Sequence, residues 1–317
     1  MASAFTQTQA AFPASRTYIT GMALVIAAGT CLSFGGLLFR LISSSDVWQV
    51  FLYRSVFLIL AMVPIILYAN KGKFFSIFYR AGWNGVIAGF CLALASVSFI
   101  TSLTYTTVAN AAFMVGSVPF FSALLGWWLL REKVSKQTVI AIAVAFCGMG
   151  LMMGAGIGDS QILGSFLALY ASLAFACYTV ILRWNERAEM LPSVFWSGVF
   201  VAGFAFVILV FPSPFRASYG ISELAISGHD LALCMTMGMA QMALGLILYT
   251  IGAKWVPAAE LGLATLVEPV LGTLWVWIFI NEVPSNMTLA GGVIIMAAIA
   301  GRAMSGVMKN RLPRAGV

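Results

Sequence analysis

Apolar runs of roughly 20 residues recur along the whole chain, separated by short polar connections. A helix of about 20 residues crosses the ~30 Å hydrocarbon core of a bilayer. A soluble domain carries about 25% charged residues, whereas this chain carries 9% and is 62% hydrophobic. We therefore expect an integral membrane protein that is solvated by lipid, and not a soluble domain.

The runs predict an all-α protein with ten transmembrane helices. The predicted spans are 18–42, 47–69, 81–104, 107–130, 137–155, 161–183, 192–211, 230–253, 257–280 and 286–307. Short tails, 1–17 and 308–317, flank them, and the longer connections are 70–80 and 212–229. Only Arg16 precedes the first run as a basic residue, so this run is expected to be a retained helix and not a cleaved signal peptide.

Basic residues lie mainly on one side of this arrangement. An even number of spans puts both termini on the same side, which receives 14 of the 17 Lys and Arg residues. By the positive-inside rule, both termini are expected in the cytoplasm, with the chain in a bacterial-type cytoplasmic (inner) membrane. Topology and anionic lipid account for the net charge of +7. No nucleic-acid partner is expected, because no basic segment is interleaved with base-stacking aromatic residues in a soluble domain.

The side chains that support catalysis or metal binding are sparse. The five cysteines lie inside apolar spans without a CxxC pair, and the single histidine, His229, lies on a predicted outer loop. We predict no catalytic residue, no metal site and no cofactor, and we do not expect an enzyme. No GxxxxGK[ST] motif occurs, which argues against an ATP-driven pump in one chain.

The two halves of the chain, 18–155 and 161–307, repeat one another. Aligned without a gap at an offset of 150 residues, Pro119 matches Pro269, Trp127 matches Trp277, and Glu132 matches Glu282. Five helices in each half make the second half enter the membrane in the opposite orientation. Inverted repeats of this kind underlie many secondary transporters.

These residues resemble a known family. An arginine early in span 2 (Arg54), and a proline in spans 4 and 9 followed thirteen residues later by glutamate, are similar to EamA-type members of the drug/metabolite transporter superfamily. The resemblance covers roughly residues 18–305. It implies ten helices around a central cavity and secondary transport of a small metabolite. The family contains exporters of amino acids and their derivatives and also uptake systems, so substrate and direction stay open.

Glu268 is the leading candidate for a transport residue. It directly precedes Pro269 near the middle of predicted span 9. A carboxylate at this depth costs roughly 3 kcal/mol on insertion scales, and such residues mark substrate or ion pathways. Glu268 could carry a proton or bind a substrate amine, with Trp275 on the same helical face as an aromatic wall. A structural hydrogen bond, or a lock to Arg54, is the alternative.

Four further polar residues within spans are candidates for the substrate path. Arg54 lies about 10 Å from the outer end of span 2 and would bind a substrate carboxylate, or form a structural pair or snorkel. Gln241 and Tyr249 share a face of span 8 with several glycines, where tight packing is the alternative. Asn110, which Glu260 matches in the repeat, is a minor candidate.

Pro119 and Pro269 are predicted to kink spans 4 and 9 at matching positions. Proline removes a helical hydrogen bond, and in lipid the freed carbonyl must find protein or water. We therefore predict hinges beside a cavity, with kinks that only shape packing as the alternative. Glu132 and Glu282 follow the two spans and are expected to be structural, as helix caps or partners of nearby Lys or Arg.

Together these features predict a secondary transporter that exports a small metabolite, either an amino acid or an amine-bearing compound. Its expected partners are the small-molecule substrate and the lipid bilayer, with protons as a further candidate, and the oligomeric state stays open. Uptake of a vitamin or similar nutrient by the same fold is one alternative. A passive channel is the alternative of another class. Channels tend to have rings of like residues, whereas Glu268 is matched in the repeat by Val118.

Overall fold

A computed structural model describes residues 15–129, 136–154, 159–184, 191–214, 218, 220–252, 255–256 and 267–311. The helices are α1 (Ser15–Arg40), α2 (Val47–Ala69), α3 (Phe74–Tyr105), α4 (Val108–Val115), α5 (Val118–Leu129), α6 (Lys136–Gly154), α7 (Asp159–Trp184), α8 (Leu191–Val210), α9 (Gly228–Met235), α10 (Leu244–Gly252), α11 (Val267–Ile280) and α12 (Asn286–Arg311). A π-helical segment, Thr236–Ala243, joins α9 to α10. A 3-10 helix covers Ile221–Leu224.

Seven helical stretches among the described residues are long and apolar enough to cross a membrane. They are Tyr18–Arg40, Val47–Ala69, Phe74–Tyr105, Val108–Leu129, Gln161–Leu182, Leu191–Val210 and Gly228–Gly252. Three shorter apolar helices, Val139–Met152, Val267–Ile280 and Asn286–Gly301, lie in the remaining predicted spans. The expected all-helical integral membrane protein is therefore confirmed. The count of ten spans stays a prediction, because residues 257–266 and most of both tails lie outside the described residues.

The fourth span is broken into two helices. Helix α4 ends at Val115, and α5 begins at Val118, so the break lies at Gly116 and Ser117, directly before Pro119. The Ser117 hydroxyl donates to the Met114 carbonyl at 2.6 Å and lies 2.9 Å from the Ser172 hydroxyl of α7. Pro119 sits in the first turn of α5, where its missing N–H leaves no helical bond unmade.

The ninth span is described only from Val267 onward, where α11 begins. Pro269 and Glu268 therefore lie in the first turn of the described helix, and the Thr273 hydroxyl donates to the Pro269 carbonyl at 2.8 Å. The preceding residues, which include Glu260, lie outside the described residues. A kink at Pro269 stays a prediction.

The third span differs from its predicted bounds. Helical structure begins at Phe74, within the predicted connection 70–80, and not at residue 81. Gly82 interrupts the helix with φ 54° and ψ −155°, a conformation open to glycine but not to residues with a side chain. The chain thus forms a short helix, residues 74–81, before the longer segment that continues to Tyr105.

The largest helix contacts occur in matching pairs when the two predicted halves, 18–155 and 161–307, are exchanged. Helix α3 of the first half packs on α7, just as the π segment and α10 of the second half pack on α1. Helix α3 also packs on α8, and the matching contact is that of the π segment with α2. Helix α1 packs on α11, and the matching contact is that of α7 with α4 and α5. The pairs α2 with α8 and α6 with α12 map onto themselves. A two-fold repeat would give such matching pairs, and the repeat arrangement itself stays a prediction.

Candidate functional site

Helix α1 contacts two of the predicted site residues, Trp275 and Gln241, at one level. The Trp275 indole of α11 donates to the Ser33 hydroxyl at 2.9 Å, and its ring stacks on Phe34 with centroids 4.9 Å apart. On the other side, the Gln241 amide donates to the Leu32 carbonyl at 3.1 Å. Because the three contacted residues are consecutive, Gln241 and Trp275 flank α1 at the same depth.

Gln241 belongs to the π-helical segment and has an unused acceptor. Its Oε1 atom is buried and has no hydrogen-bond partner within the described part of the chain. A buried amide oxygen without a donor costs roughly 1–3 kcal/mol, so such atoms call for an explanation. π-Helical turns also occur frequently at functional sites. The Gln241 oxygen is therefore well suited to accept a hydrogen bond from a ligand.

Arg54 is a buried cation on α2. Its residue is 3% exposed, one guanidinium nitrogen donates to the Ser96 hydroxyl at 2.6 Å, and the guanidinium carbon lies 5.8 Å from the centroid of the Phe51 ring. The Nε atom is buried without a hydrogen-bond partner among the described residues. No described carboxylate lies within the 4.0 Å of an ion pair.

The π segment also lies directly against Arg54. A Cβ atom added to Gly238 would stand 2.4 Å from the Arg54 carbonyl oxygen, so only glycine allows this approach of the two backbones. Gly238 precedes Gln241 by three residues on the same segment. Arg54, Gln241 and Trp275 are thus placed on α2, the π segment and α11, and the last two of these elements flank α1.

Glu268 lies at a second level of the same arrangement. Its side chain is half-buried, and it precedes by four residues Gly272, where an added Cβ atom would lie 3.4 Å from the Ser33 carbonyl oxygen of α1. Tyr249 of α10 packs against the cluster formed by Val25 and Val256, and Val25 lies on α1 eight residues before Ser33. Eight helical residues rise about 12 Å. Glu268 therefore lies about 6 Å below the level of Ser33, and Tyr249 lies toward the level of Val25, about 12 Å below Ser33.

Asn110 lies in a separate polar network between α4 and α7. Its amide nitrogen donates to the Thr106 hydroxyl at 2.9 Å and to the Ser165 hydroxyl at 2.7 Å. Its Oδ1 atom is buried without a partner in the described portion. The described contacts do not bring Asn110 together with the other candidate residues.

Glu282 has the structural role that was expected of it. One carboxylate oxygen pairs with Arg40 Nε at 3.0 Å, and the other accepts from the Val108 N–H at 2.6 Å, which caps α4. Arg40 also donates to the Thr106 carbonyl at 2.8 Å. The capped helix is α4 and not the next helix in sequence. Glu132, its match in the repeat, lies outside the described residues.

Asp230 forms a dense polar cluster that the sequence reasoning missed. This buried carboxylate accepts from the backbone N–H groups of Ser43 and Ser44 and from the hydroxyls of Ser43, Ser44 and Ser45, at 2.7–3.3 Å. The cluster fastens the connection after α1 to the start of α9. Three consecutive serines and a distant aspartate carry no local signal, because only the fold brings them together.

Apolar helices of membrane length that bury polar side chains such as Arg54 and Asn110 are typical of a polytopic membrane protein. The chain belongs to the EamA-like transporter family, whose model matches residues 19–154 and 162–302. The family resemblance predicted from the sequence is thereby confirmed, and the protein is an integral membrane transporter.

Related proteins show how widely this similarity extends. An S-adenosylmethionine uptake transporter of Rickettsia felis is 22% identical over 289 residues, which cover 90% of this chain and 92% of that protein. The transporter YetK of Bacillus subtilis is 25% identical over 70% of this chain, and the match spans 66% of its own length. One solved crystal structure shares the fold, with a TM-score of 0.65, 16% identity and coverage of 94% of this chain and 99% of that one.

Proposed function

We propose that this protein is a secondary transporter for a small metabolite that carries both an anionic group and an amine, such as an amino acid or a derivative. Arg54 binds the anionic group, and Glu268 binds the amine or a proton. Gln241, Trp275 and Tyr249 line the path between them. The observation that carries the proposal is the buried Arg54 guanidinium, which has no carboxylate partner among the described residues.

A buried cation that has only neutral partners is costly. The effective desolvation penalty is several kcal/mol per ion, and a hydroxyl and an aromatic face offset only part of it. Arg54 holds Ser96 with one nitrogen and leaves Nε without an acceptor. A carboxylate would satisfy the free donors of the planar guanidinium and neutralise its charge.

The Glu268 level suits a cationic group. A half-buried carboxylate can accept from an ammonium group, and the Gln241 oxygen at the upper level offers a second acceptor. The stacked rings of Trp275 and Phe34 present an aromatic wall at the upper level. The same carboxylate can alternatively hold a proton that is carried with the substrate.

Alternating access follows from the proposed inverted repeat. The exchange symmetry of the helix packing supports two five-helix halves, 18–155 and 161–307, of opposite orientation around a central site. The break before Pro119 supports a hinge there, and Pro269 is its proposed counterpart. We place both termini in the cytoplasm of a bacterial-type membrane on the distribution of basic residues.

Export is the direction that we propose first, and uptake is the second candidate. Uptake is favoured by the relatives named S-adenosylmethionine uptake transporters. S-Adenosylmethionine carries an α-amino acid group, which suits a paired guanidinium and carboxylate. Radiolabel accumulation in oriented membrane vesicles, with a gradient imposed in either direction, decides between the two.

The test is counterflow into proteoliposomes with a panel of amino acids, S-adenosylmethionine, polyamines and flavins. We expect saturable exchange of a substrate that has both an amine and an acid, reduced strongly by Arg54→Gln and by Glu268→Gln. Arg54→Lys keeps the positive charge but lacks the planar guanidinium that binds a carboxylate with two hydrogen bonds, so it should retain only part of the exchange. Full, pH-independent exchange by Glu268→Gln would rule out its role, and non-saturable flux would identify a passive channel.

A further inference from the structure

Residues 74–81, the short helix before Gly82, are not needed to cross the membrane. The rest of α3, residues 83–105, is about 34 Å long at 1.5 Å per residue, and it spans the ~30 Å hydrocarbon core by itself. Gly82, with φ 54° and ψ −155°, turns the chain between the two parts. At the other end, Lys71 and Gly72 adopt left-handed conformations with φ 48° and 82° after α2. The short helix is therefore set off from both neighbouring spans.

One face of this helix is fixed to the protein. Ile77 is fully buried, and the Phe78 ring packs edge-on against Phe195 and Trp196 of α8, with centroids 5.2 and 6.0 Å apart. Phe74 makes a similar contact with Phe195 at 5.9 Å. These contacts hold the helix rigidly at the end of α8, so the direction of its other face is defined.

The other face carries large aromatic side chains that touch little of the protein. Phe75 is 83% exposed and Tyr79 is 91% exposed, and Tyr68 and Trp83 on either side are 91% and 80% exposed. Aromatic residues of this kind concentrate at the membrane–water interface, where the ring lies among the headgroups. Phe75 and Tyr79 lie beyond the end of a complete span, and Tyr68 and Trp83 lie at the ends of theirs, so we expect these rings at the level of the headgroups.

Three cations accompany these rings. Lys71, Lys73 and Arg80 are exposed, and no carboxylate of the described chain lies within ion-pair distance of any of them. Each Lys or Arg held near an anionic membrane surface contributes about 1 kcal/mol of attraction. Aromatic anchors beside unpaired cations are the combination that binds an amphipathic segment to anionic lipid.

We propose that residues 68–83 form an interfacial anchor that binds the headgroups of anionic lipids, on the membrane face that carries the N-terminus. The exposed rings insert between headgroups, and Lys71, Lys73 and Arg80 bind lipid phosphates. Because the anchor is packed on α8 and continuous with α3, bound anionic lipid stabilises the contact of these two helices.

The purified full-length protein is tested with phosphatidylglycerol, and with phosphatidylcholine as the neutral lipid. Native mass spectrometry counts the bound lipids, and the melting temperature in detergent measures the stabilisation. We expect phosphatidylglycerol to bind and stabilise the protein more than phosphatidylcholine does. A variant combining Lys71→Gln, Lys73→Gln and Arg80→Gln should lose this difference.

Single charges provide the matched control. Lys136 is also exposed, at the start of α6 and away from the anchor. Arg80→Gln should weaken phosphatidylglycerol binding about fivefold, whereas Lys136→Gln should leave it unchanged. Equal weakening by both would show a response to net charge and overturn the anchor. So would undiminished binding by the triple variant, or an equal effect of phosphatidylcholine.

Two further experiments distinguish binding of a lipid surface from binding of a free phosphate. Soluble glycerol phosphate should not raise the melting temperature, because it lacks the acyl chains among which the rings insert. Tyr79→Ser, which keeps every charge, should weaken binding of both lipids. An equal shift with glycerol phosphate, or unchanged lipid binding by Tyr79→Ser, would contradict the anchor.

Discussion

Arg40 and Arg54 lie on consecutive helices, but their surroundings differ in kind. Arg40, at the end of α1, is neutralised within the protein, because it pairs with Glu282 and also donates to a backbone carbonyl. Arg54, inside α2, is more deeply buried and has a serine hydroxyl and a phenylalanine ring as its described partners. The better buried cation is thus the less well neutralised one.

This difference separates a structural arginine from a ligand-binding one. An arginine whose charge is met by a carboxylate of the same fold joins helices and requires nothing from outside. A buried arginine with a free donor raises the free energy of the substrate-free protein, and binding of an anion lowers that free energy. Sequence position alone, a few residues inside a span, does not distinguish the two cases.

Replacing each arginine by methionine should give opposite outcomes and the largest effect. Arg54→Met should weaken substrate binding about 100-fold, since hydrogen bonds to charged groups contribute roughly 1.5–3 kcal/mol. The melting temperature of the substrate-free variant should stay the same or rise, because a poorly compensated buried charge is gone. Arg40→Met should lower the melting temperature and retain substrate affinity. If Arg54→Met unfolds the protein while Arg40→Met loses binding, the two roles are reversed.

Glu268→Gln should have the next largest effect on transport, and its pH dependence distinguishes binding of the substrate amine from binding of a proton. If Glu268 binds the amine, the KM of counterflow should rise about tenfold at every pH, as expected for one charged hydrogen bond. If Glu268 carries a proton, the wild-type rate should vary with pH and the variant rate should not. Tyr249→Phe is the control, because it removes the hydroxyl of another proposed path residue and keeps the carboxylate. Wild-type behaviour of Glu268→Gln at all pH values would contradict both roles.

A double-mutant cycle on Arg40 and Glu282 should give a smaller effect, which is a coupling in the free energy of unfolding. The pair is partly exposed, with side chains 29% and 18% accessible, so we expect a coupling of about 1 kcal/mol. Glu282→Ala should be more destabilising than Arg40→Ala, because it also leaves the Val108 N–H of α4 without a cap. Chemical unfolding in detergent measures both. A larger loss with Arg40→Ala would show that the helix cap is unimportant.

Trp275→Phe should produce the smallest change. Phenylalanine keeps an aromatic ring beside Phe34 and removes only the hydrogen bond to Ser33, which is worth about 1 kcal/mol. We expect about a fivefold loss of substrate affinity at most, with Ser33→Ala as the matched control from the other partner. A loss as large as that of Arg54→Met would mean that the indole nitrogen itself binds the substrate.

Hydrophobicity carried most of the fold prediction. Membrane-length runs identify spans because lipid removes nearly every alternative to a helix for the backbone. Proline gives a second strong signal, and the break at Gly116 and Ser117 lies beside Pro119. Glu282 was also expected to be structural, since an acid just beyond a span commonly caps a helix or pairs with a base.

Features that depend on distant residues were not predictable in the same way. The helix at residues 74–81 lies in a stretch whose three cations lower its hydrophobicity, so the sequence predicts a connection there. The π segment has no recognisable sequence pattern, and the unmet acceptor of Gln241 results from how α1 packs beside it. Arg54 was identified as a candidate, but its lack of a described carboxylate partner emerged only from the packing of α2, α3 and α9.

The Asp230 cluster has a consequence for how the chain is made. The first hairpin presents its three serines early in synthesis, but the carboxylate that binds them belongs to a helix about 185 residues later. Until that helix leaves the ribosome and inserts, these hydroxyls can only be hydrated at the membrane surface. The first two helices therefore reach their final arrangement late, and a truncated nascent chain lacks the contact that holds them.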